Sequence, residues 1–142
     1  MTASDLSADA LVLAKDNAKL NRVDISFVLA DVFENVSGCF DIIVSNPPYI
    51  SENDKDEVGL NVLTSEPKMA LFADEDGLAI YRQILEDADK YLNSQGKLYF
   101  EIGYKQGEDL RKLLSLHFPD KHVRVLKDQF GQDRMVVMDD GK

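Results

Sequence analysis

The stretch from residue 77 to 118 constrains the fold most, because it switches twice between the periodicities of helix and strand. Leu78, Tyr81, Leu85, Ala88 and Leu92 step by three and four along one face, which predicts a helix over 77–93, stopped by Asn93-Ser94-Gln95-Gly96. Leu98, Phe100 and Ile102 then alternate, predicting a strand over 97–103. Leu110, Leu113, Leu114 and Phe118 return to helical spacing over 105–118, ended by Pro119. Upstream, Ala10, Leu11, Ala14 and Ala18 predict a helix over 7–21 with Ser7 as its N-cap and Asp9 in its first turn. Strands are expected near 24–29, from Ile25, Phe27 and Leu29, and near 40–45, from the apolar run Phe40 to Val44. Two more, near 122–127 and 134–138, make an antiparallel hairpin over 122–138. This order predicts an α/β fold around a largely parallel sheet. Residues 46–75 hold three of the four prolines and no clear period, so they are read as a functional loop.

With 142 residues, the expectation is one domain, 1–142. No run approaches the roughly 18 apolar residues that cross a bilayer, so no membrane span is expected. The start, Met1-Thr2-Ala3-Ser4-Asp5-Leu6-Ser7, lacks the pattern of a secretory signal, which makes the cytoplasm the expected compartment. Cys39 is the only cysteine, excluding an internal disulfide and a multi-cysteine zinc site, and it reads as a small buried hydrophobe. His117 and His122 have no metal-ligand company in sequence, and no metal is expected. A net charge of -10 argues against nucleic acid as a partner, since phosphate binding rests on Lys and Arg.

The chemistry concentrates in Asn46-Pro47-Pro48-Tyr49, directly after the apolar strand. In open α/β sheets ligands bind beyond the carboxyl ends of strands, where this tetrapeptide would lie. Pro47 and Pro48 fix their own φ and restrict the residue before each, so Asn46 and the Pro47 carbonyl are held nearly rigid. The Asn46 amide oxygen and that carbonyl can together accept both hydrogens of a planar NH₂ group, and the Tyr49 ring can stack on its plane. Such a cradle suits methyl transfer to an amide or exocyclic amine nitrogen. Drawing on both N–H bonds raises electron density on nitrogen, and positioning contributes up to about 7–11 kcal/mol. The structural alternative is a rigid turn with no ligand.

These residues resemble the class I S-adenosylmethionine-dependent methyltransferases that modify amino or amide nitrogen, and more narrowly the release-factor glutamine methyltransferases, the PrmC (HemK) family. The resemblance covers nearly the whole chain. It rests on Asp5-Leu6-Ser7-Ala8-Asp9-Ala10-Leu11 with Asn17-Ala18, Asp31-Val32-Phe33-Glu34 and Val44-Ser45-Asn46-Pro47-Pro48-Tyr49-Ile50. It continues through Glu66-Pro67-Lys68-Met69-Ala70-Leu71, Asp76-Gly77-Leu78, Glu101-Ile102-Gly103 with Gln106-Gly107, and Gly131-Gln132-Asp133-Arg134. It implies a Rossmann-like sheet, S-adenosylmethionine as cofactor with S-adenosylhomocysteine as product, and a peptide-chain release factor as protein substrate. Asp5 would end the family's second strand and bind the ribose hydroxyls of the cofactor, Asp31 and Val32 would flank its adenine, and Asn46 would also be a cofactor-binding residue. Asn46 and Pro47 would hold the substrate glutamine amide, with Pro48, Tyr49 and Glu66 completing its pocket; Asn46, Pro47 and Tyr49 would be the catalytic set.

The sequence departs from that family at its front. The glycines are 38, 59, 77, 96, 103, 107, 131 and 141, so the family's first strand and the G-x-G-x-G loop after it are missing, as is its helical amino-terminal domain. The expectation is therefore a truncated piece of a larger enzyme whose sheet lacks a central strand, either closed imperfectly or completed by another copy. The residues leave two other readings open: adenine-N6 methylation of nucleic acid with the same cradle, or a silent methyltransferase-like interaction module.

Overall fold

The computed structural model describes residues 1–51, 67–73 and 77–141, and Glu66 with most of the 46–75 loop lies outside them. The chain resolves into two compact units, Met1–Gly38 and Cys39–Lys142.

The first unit is a β-α-β crossover of two parallel strands. β1 (Thr2–Asp5) and β2 (Ser26–Leu29) run parallel, with Thr2 opposite Ser26 and Asp5 opposite Leu29. Between them α1 (Ala8–Leu20) starts at Ser7, whose Oγ accepts from the Ala10 N–H at 3.2 Å. Lys19 in the last turn faces the negative end of the helix dipole, and the Asn21 side chain donates to the Asn17 carbonyl. α1 buries Leu11 and Ala18, two turns apart.

The second unit is a four-stranded mixed sheet in the order β3-β4-β6-β5, from β3 (Phe40–Ser45), β4 (Leu92–Glu101), β5 (His122–Lys127) and β6 (Asp133–Asp139). β3 and β4 are parallel, while β6 runs antiparallel to both β4 and β5. Two helices, α2 (Ala79–Tyr91) and α3 (Gly107–His117), supply the apolar cover. Leu98, Phe100 and Ile102 all point inward from the β4 line and meet Tyr81, Leu85 and Ala88 of α2 and Leu110 and Leu114 of α3 in one buried core with Val136 and Met138 of β6. Tyr81 sits edge-on to Phe100, 5.2 Å between ring centres, and its hydroxyl donates to the Glu101 carbonyl at 2.6 Å. Burial holds this phenol well above the usual tyrosine range, with Tyr49 and Glu101 adding to the effect, so it stays protonated and remains a donor. Tyr81→Phe leaves that carbonyl without its partner and is expected to lower stability by about 1–3 kcal/mol in urea unfolding; an unchanged midpoint contradicts this.

Several boundaries differ from those read off the sequence. The strand expected over 97–103 starts at Leu92 and ends at Glu101, and the helix expected over 77–93 spans Ala79–Tyr91. Leu92 is already extended, and Asn93–Gly96 bulge within the strand, because pairing jumps from Phe40–Leu92 to Ile42–Lys97. Asn93 Nδ2 on Asp41 Oδ1, at 2.7 Å, and Lys121 Nζ on the Ser94 carbonyl, at 2.6 Å, hold that bulge. The polar run that resembles a helix stop is thus strand. Within the 46–75 segment, Lys68–Ala70 form a 3₁₀ turn and Ile50 bridges to Phe72. Cys39 is exposed rather than buried; it lies just ahead of β3, its thiol 3.5 Å from the Lys90 carbonyl.

Candidate active site

In the first unit, parallel pairing brings Asp5 and Asp31 to the same end of the strand pair. The Asp5 carbonyl accepts from the Ala30 N–H at 3.0 Å, which places Asp31 one residue beyond the last rung. Asp5 and Asp31 are both exposed and Val32 is half-buried. One Asp5 carboxylate oxygen accepts from the Ser7 N–H at 2.7 Å, so the side chain also ties down the entrance to α1. A carboxylate has about four lone-pair sites, which leaves acceptor capacity for further donors. Val32 stands at φ 53°. A β-branched residue in the left-handed region is a true outlier, of the kind that concentrates at functional positions and costs about 1–3 kcal/mol.

In the second unit, β3 ends at Ser45 opposite Phe100, which delivers Asn46 to the carboxyl end of two parallel strands. Asn46 is exposed, Pro47 is buried, and Pro48 and Tyr49 are half-buried. The loop is anchored downstream, where Ile50 donates to the Leu71 carbonyl at 2.9 Å and accepts from Ala73 at 3.0 Å. It is anchored from the side by Gln106, whose Nε2 donates to the Tyr49 carbonyl at 2.9 Å while its Oε1 accepts from the Gly103 N–H at 3.0 Å. Gly77 and Gly103 leave room for this arrangement. A Cβ on Gly77 would overlap the Tyr49 carbonyl and lie 2.5 Å from Gln106 Nε2; one on Gly103 would lie 3.2 Å from Tyr49 Cδ2. One part of the Tyr49 ring therefore rests against Gly103.

Gln106 had no role assigned from sequence. The sequence reading places it inside a helix over 105–118, whereas in the structure it is the N-cap of α3, where Ser, Thr, Asp or Asn would ordinarily bond the helix, and it makes no such bond. Its amide is committed to the loop instead. Among the described residues, no group of three or more His, Cys, Asp and Glu side chains could hold a metal, and no helix is long and apolar enough to cross a membrane.

Comparison with known proteins places the chain in a family. The profile of the family described as "Methyltransferase small domain" matches residues 1–71, half of the chain. The chain belongs to that family. Along all 142 residues it is 61% identical to the release factor glutamine methyltransferase of Streptococcus pneumoniae, of which it covers 51%. The Lactococcus lactis protein of the same name is 46% identical over 134 residues, 94% of this chain and 50% of that protein. The chain thus spans about half the length of these relatives. Among solved structures, a ribosomal protein L11 methylase from Lactobacillus delbrueckii superposes with TM-score 0.65 at 22% identity, over 96% of this chain and 55% of that one. A Pyrococcus furiosus methyltransferase gives 0.66 at 20%, over 99% and 62%. SMU.1697c of Streptococcus mutans, solved with S-adenosylhomocysteine, gives 0.58 at 14%, over 97% and 74%. The fold is that of the class I S-adenosylmethionine-dependent methyltransferases.

Proposed function

We propose that this chain is the part of a release factor glutamine methyltransferase that holds the substrate amide and the nucleoside end of the cofactor. The observation that carries the reading is the rigid Asn46-Pro47-Pro48-Tyr49 loop at the carboxyl end of β3, in a chain 61% identical over its full length to a protein of that name. β3 is the end strand of its sheet, and Ile42 and Val44 on one face of it are 55% and 73% exposed, which supports further chain or a second copy covering that strand and that face in the whole protein.

The residues of the first unit fit the nucleoside half of S-adenosylmethionine. Asp5 has acceptor capacity for two vicinal hydroxyls, Asp31 for an exocyclic amine, and Val32 offers an apolar face. No glycine-rich loop is present in the sequence for the methionine half. When bound, the cofactor supplies an electrophilic methyl group, so the protein's task is to orient the acceptor nitrogen. Asn46 Oδ1 and the Pro47 carbonyl accept the two amide hydrogens, which pulls electron density onto nitrogen and aims its lone pair. Tyr49 borders the amide plane, and Pro48 keeps the two acceptors from swinging apart. By the family resemblance, Glu66 belongs to the pocket for the substrate amide.

Label transfer from methyl-labelled S-adenosylmethionine by the full-length protein tests the reading: a release factor should be labelled, and the same factor with its acceptor glutamine replaced should not. Equal labelling of both sinks it. The strained Val32 offers a second test. Val32→Gly removes a left-handed β-branched residue but also its partial burial, so stability should change by less than about 1 kcal/mol. S-adenosylhomocysteine should bind several-fold more weakly in calorimetry; undiminished affinity would remove Val32 from the adenine site.

A further inference from the structure

We propose that Gln106 is a positioning residue for methyl transfer, locking the Asn46–Tyr49 loop to the β4–α3 turn through a two-point amide clamp. The proposal rests on the glutamine-amide reading of that loop. Gln106 is 8% exposed and bonds in both directions at once, donating to the Tyr49 carbonyl and accepting from the Gly103 N–H.

That pair of demands selects glutamine. Glutamate offers no donor when ionised and would face the Tyr49 carbonyl with another acceptor, lysine offers no acceptor, and an apolar side chain offers neither. The surrounding glycines point the same way, since a side chain at 77 would occupy the space in which the Tyr49 carbonyl meets the amide.

The clamp matters because of the two prolines. Pro47 and Pro48 have no N–H, so the loop cannot tether itself through those positions and depends on carbonyls and on its flanks. Their fixed φ also makes the tetrapeptide stiff. A tilt at the Tyr49 carbonyl is therefore passed back to the Pro47 carbonyl and to Asn46, the two acceptors that grip the substrate nitrogen. Misplacement of such groups by about 1 Å can cost on the order of 10²-fold in rate without contact between the changed residue and the substrate.

The test uses the full-length protein with Gln106→Met, close in length but unable to bond both partners, and Gln106→Glu, which keeps the acceptor alone. Both should lower kcat by about 10- to 30-fold while KM for S-adenosylmethionine stays within about 2-fold. In Gln106→Met, the Ile50 and Ala73 amides should exchange hydrogen at least several-fold faster, since the clamp sits one residue before their bridge. Gly77→Ala should reproduce both effects. Unchanged kcat together with unchanged exchange overturns the clamp, and so does a loss confined to KM for the cofactor. If the unsubstituted protein methylates no glutamine, the functional reading fails, and the exchange measurement still decides whether Gln106 holds the loop.

Discussion

Asn46→Ala in the full-length protein is expected to lower kcat for glutamine methylation by on the order of 10²–10³-fold, the range seen when one preorganised polar group is removed from a reacting centre. The amide nitrogen of glutamine is a poor nucleophile because its lone pair is delocalised into the carbonyl. Two acceptors are needed to hold both N–H bonds and to fix the face from which the lone pair attacks. Alanine removes the acceptor at the exposed position after β3 and leaves the Pro47 carbonyl alone, so the amide can rotate. The fold should survive, because Asn46 is exposed while the adjoining Pro47 is buried and carries the packing. Asn46→Asp separates charge from geometry. It keeps an acceptor at the same place but cannot reproduce the amide's donor side, and should retain more activity than alanine. Kinetics showing full kcat in Asn46→Ala would mean the cradle does not act on the nitrogen.

Asp5→Asn should weaken S-adenosylhomocysteine binding by about 10²-fold while leaving the fold intact. Hydrogen bonds to a charged group contribute about 1.5–3 kcal/mol each, and the substitution removes the charge and one acceptor. The amide oxygen that remains can still accept from the Ser7 N–H, so the entrance to α1 stays capped. Asp5→Ala removes both functions and should also lower the melting temperature. Calorimetry and thermal unfolding on the two variants together distinguish a ligand-binding carboxylate from one that serves only the helix start. Equal affinity in Asp5→Asn and the unsubstituted protein assigns Asp5 to the helix alone.

The parts of the fold that carried strong periodicity were readable in the sequence. Tyr81, Leu85 and Ala88 are buried along one face of α2, and Leu98, Phe100 and Ile102 alternate into the core, because a single side of each element faces apolar partners. β1 had no such signal. Thr2-Ala3-Ser4-Asp5 lacks apolar alternation, and its extended form is set by pairing with β2, which only the family resemblance anticipated by placing Asp5 at a strand end. The start of β4 is not legible because Asn93-Ser94-Gln95-Gly96 is polar enough to end a helix, whereas the bond Asn93 donates to Asp41 and the one Lys121 donates to the Ser94 carbonyl keep it in the sheet as a bulge. At the site, the stiffness of Asn46–Tyr49 follows from proline chemistry and was visible from the letters alone. The backbone of Val32 and the clamp by Gln106 were not, since both depend on which groups the turn after β2 and the turn after β4 bring together.

On the proposed reading, the nitrogen held by Asn46 and Pro47 is a glutamine side-chain amide. It is tested most directly by incubating the full-length protein with S-adenosylmethionine and a peptide-chain release factor, then locating the new methyl group by fragmentation mass spectrometry. One added methyl is expected on the side-chain amide nitrogen of a single glutamine, absent when the Asn46→Ala protein is used. A methyl group on another residue type, or transfer to adenine in DNA or RNA while the release factor stays unmodified, would contradict it.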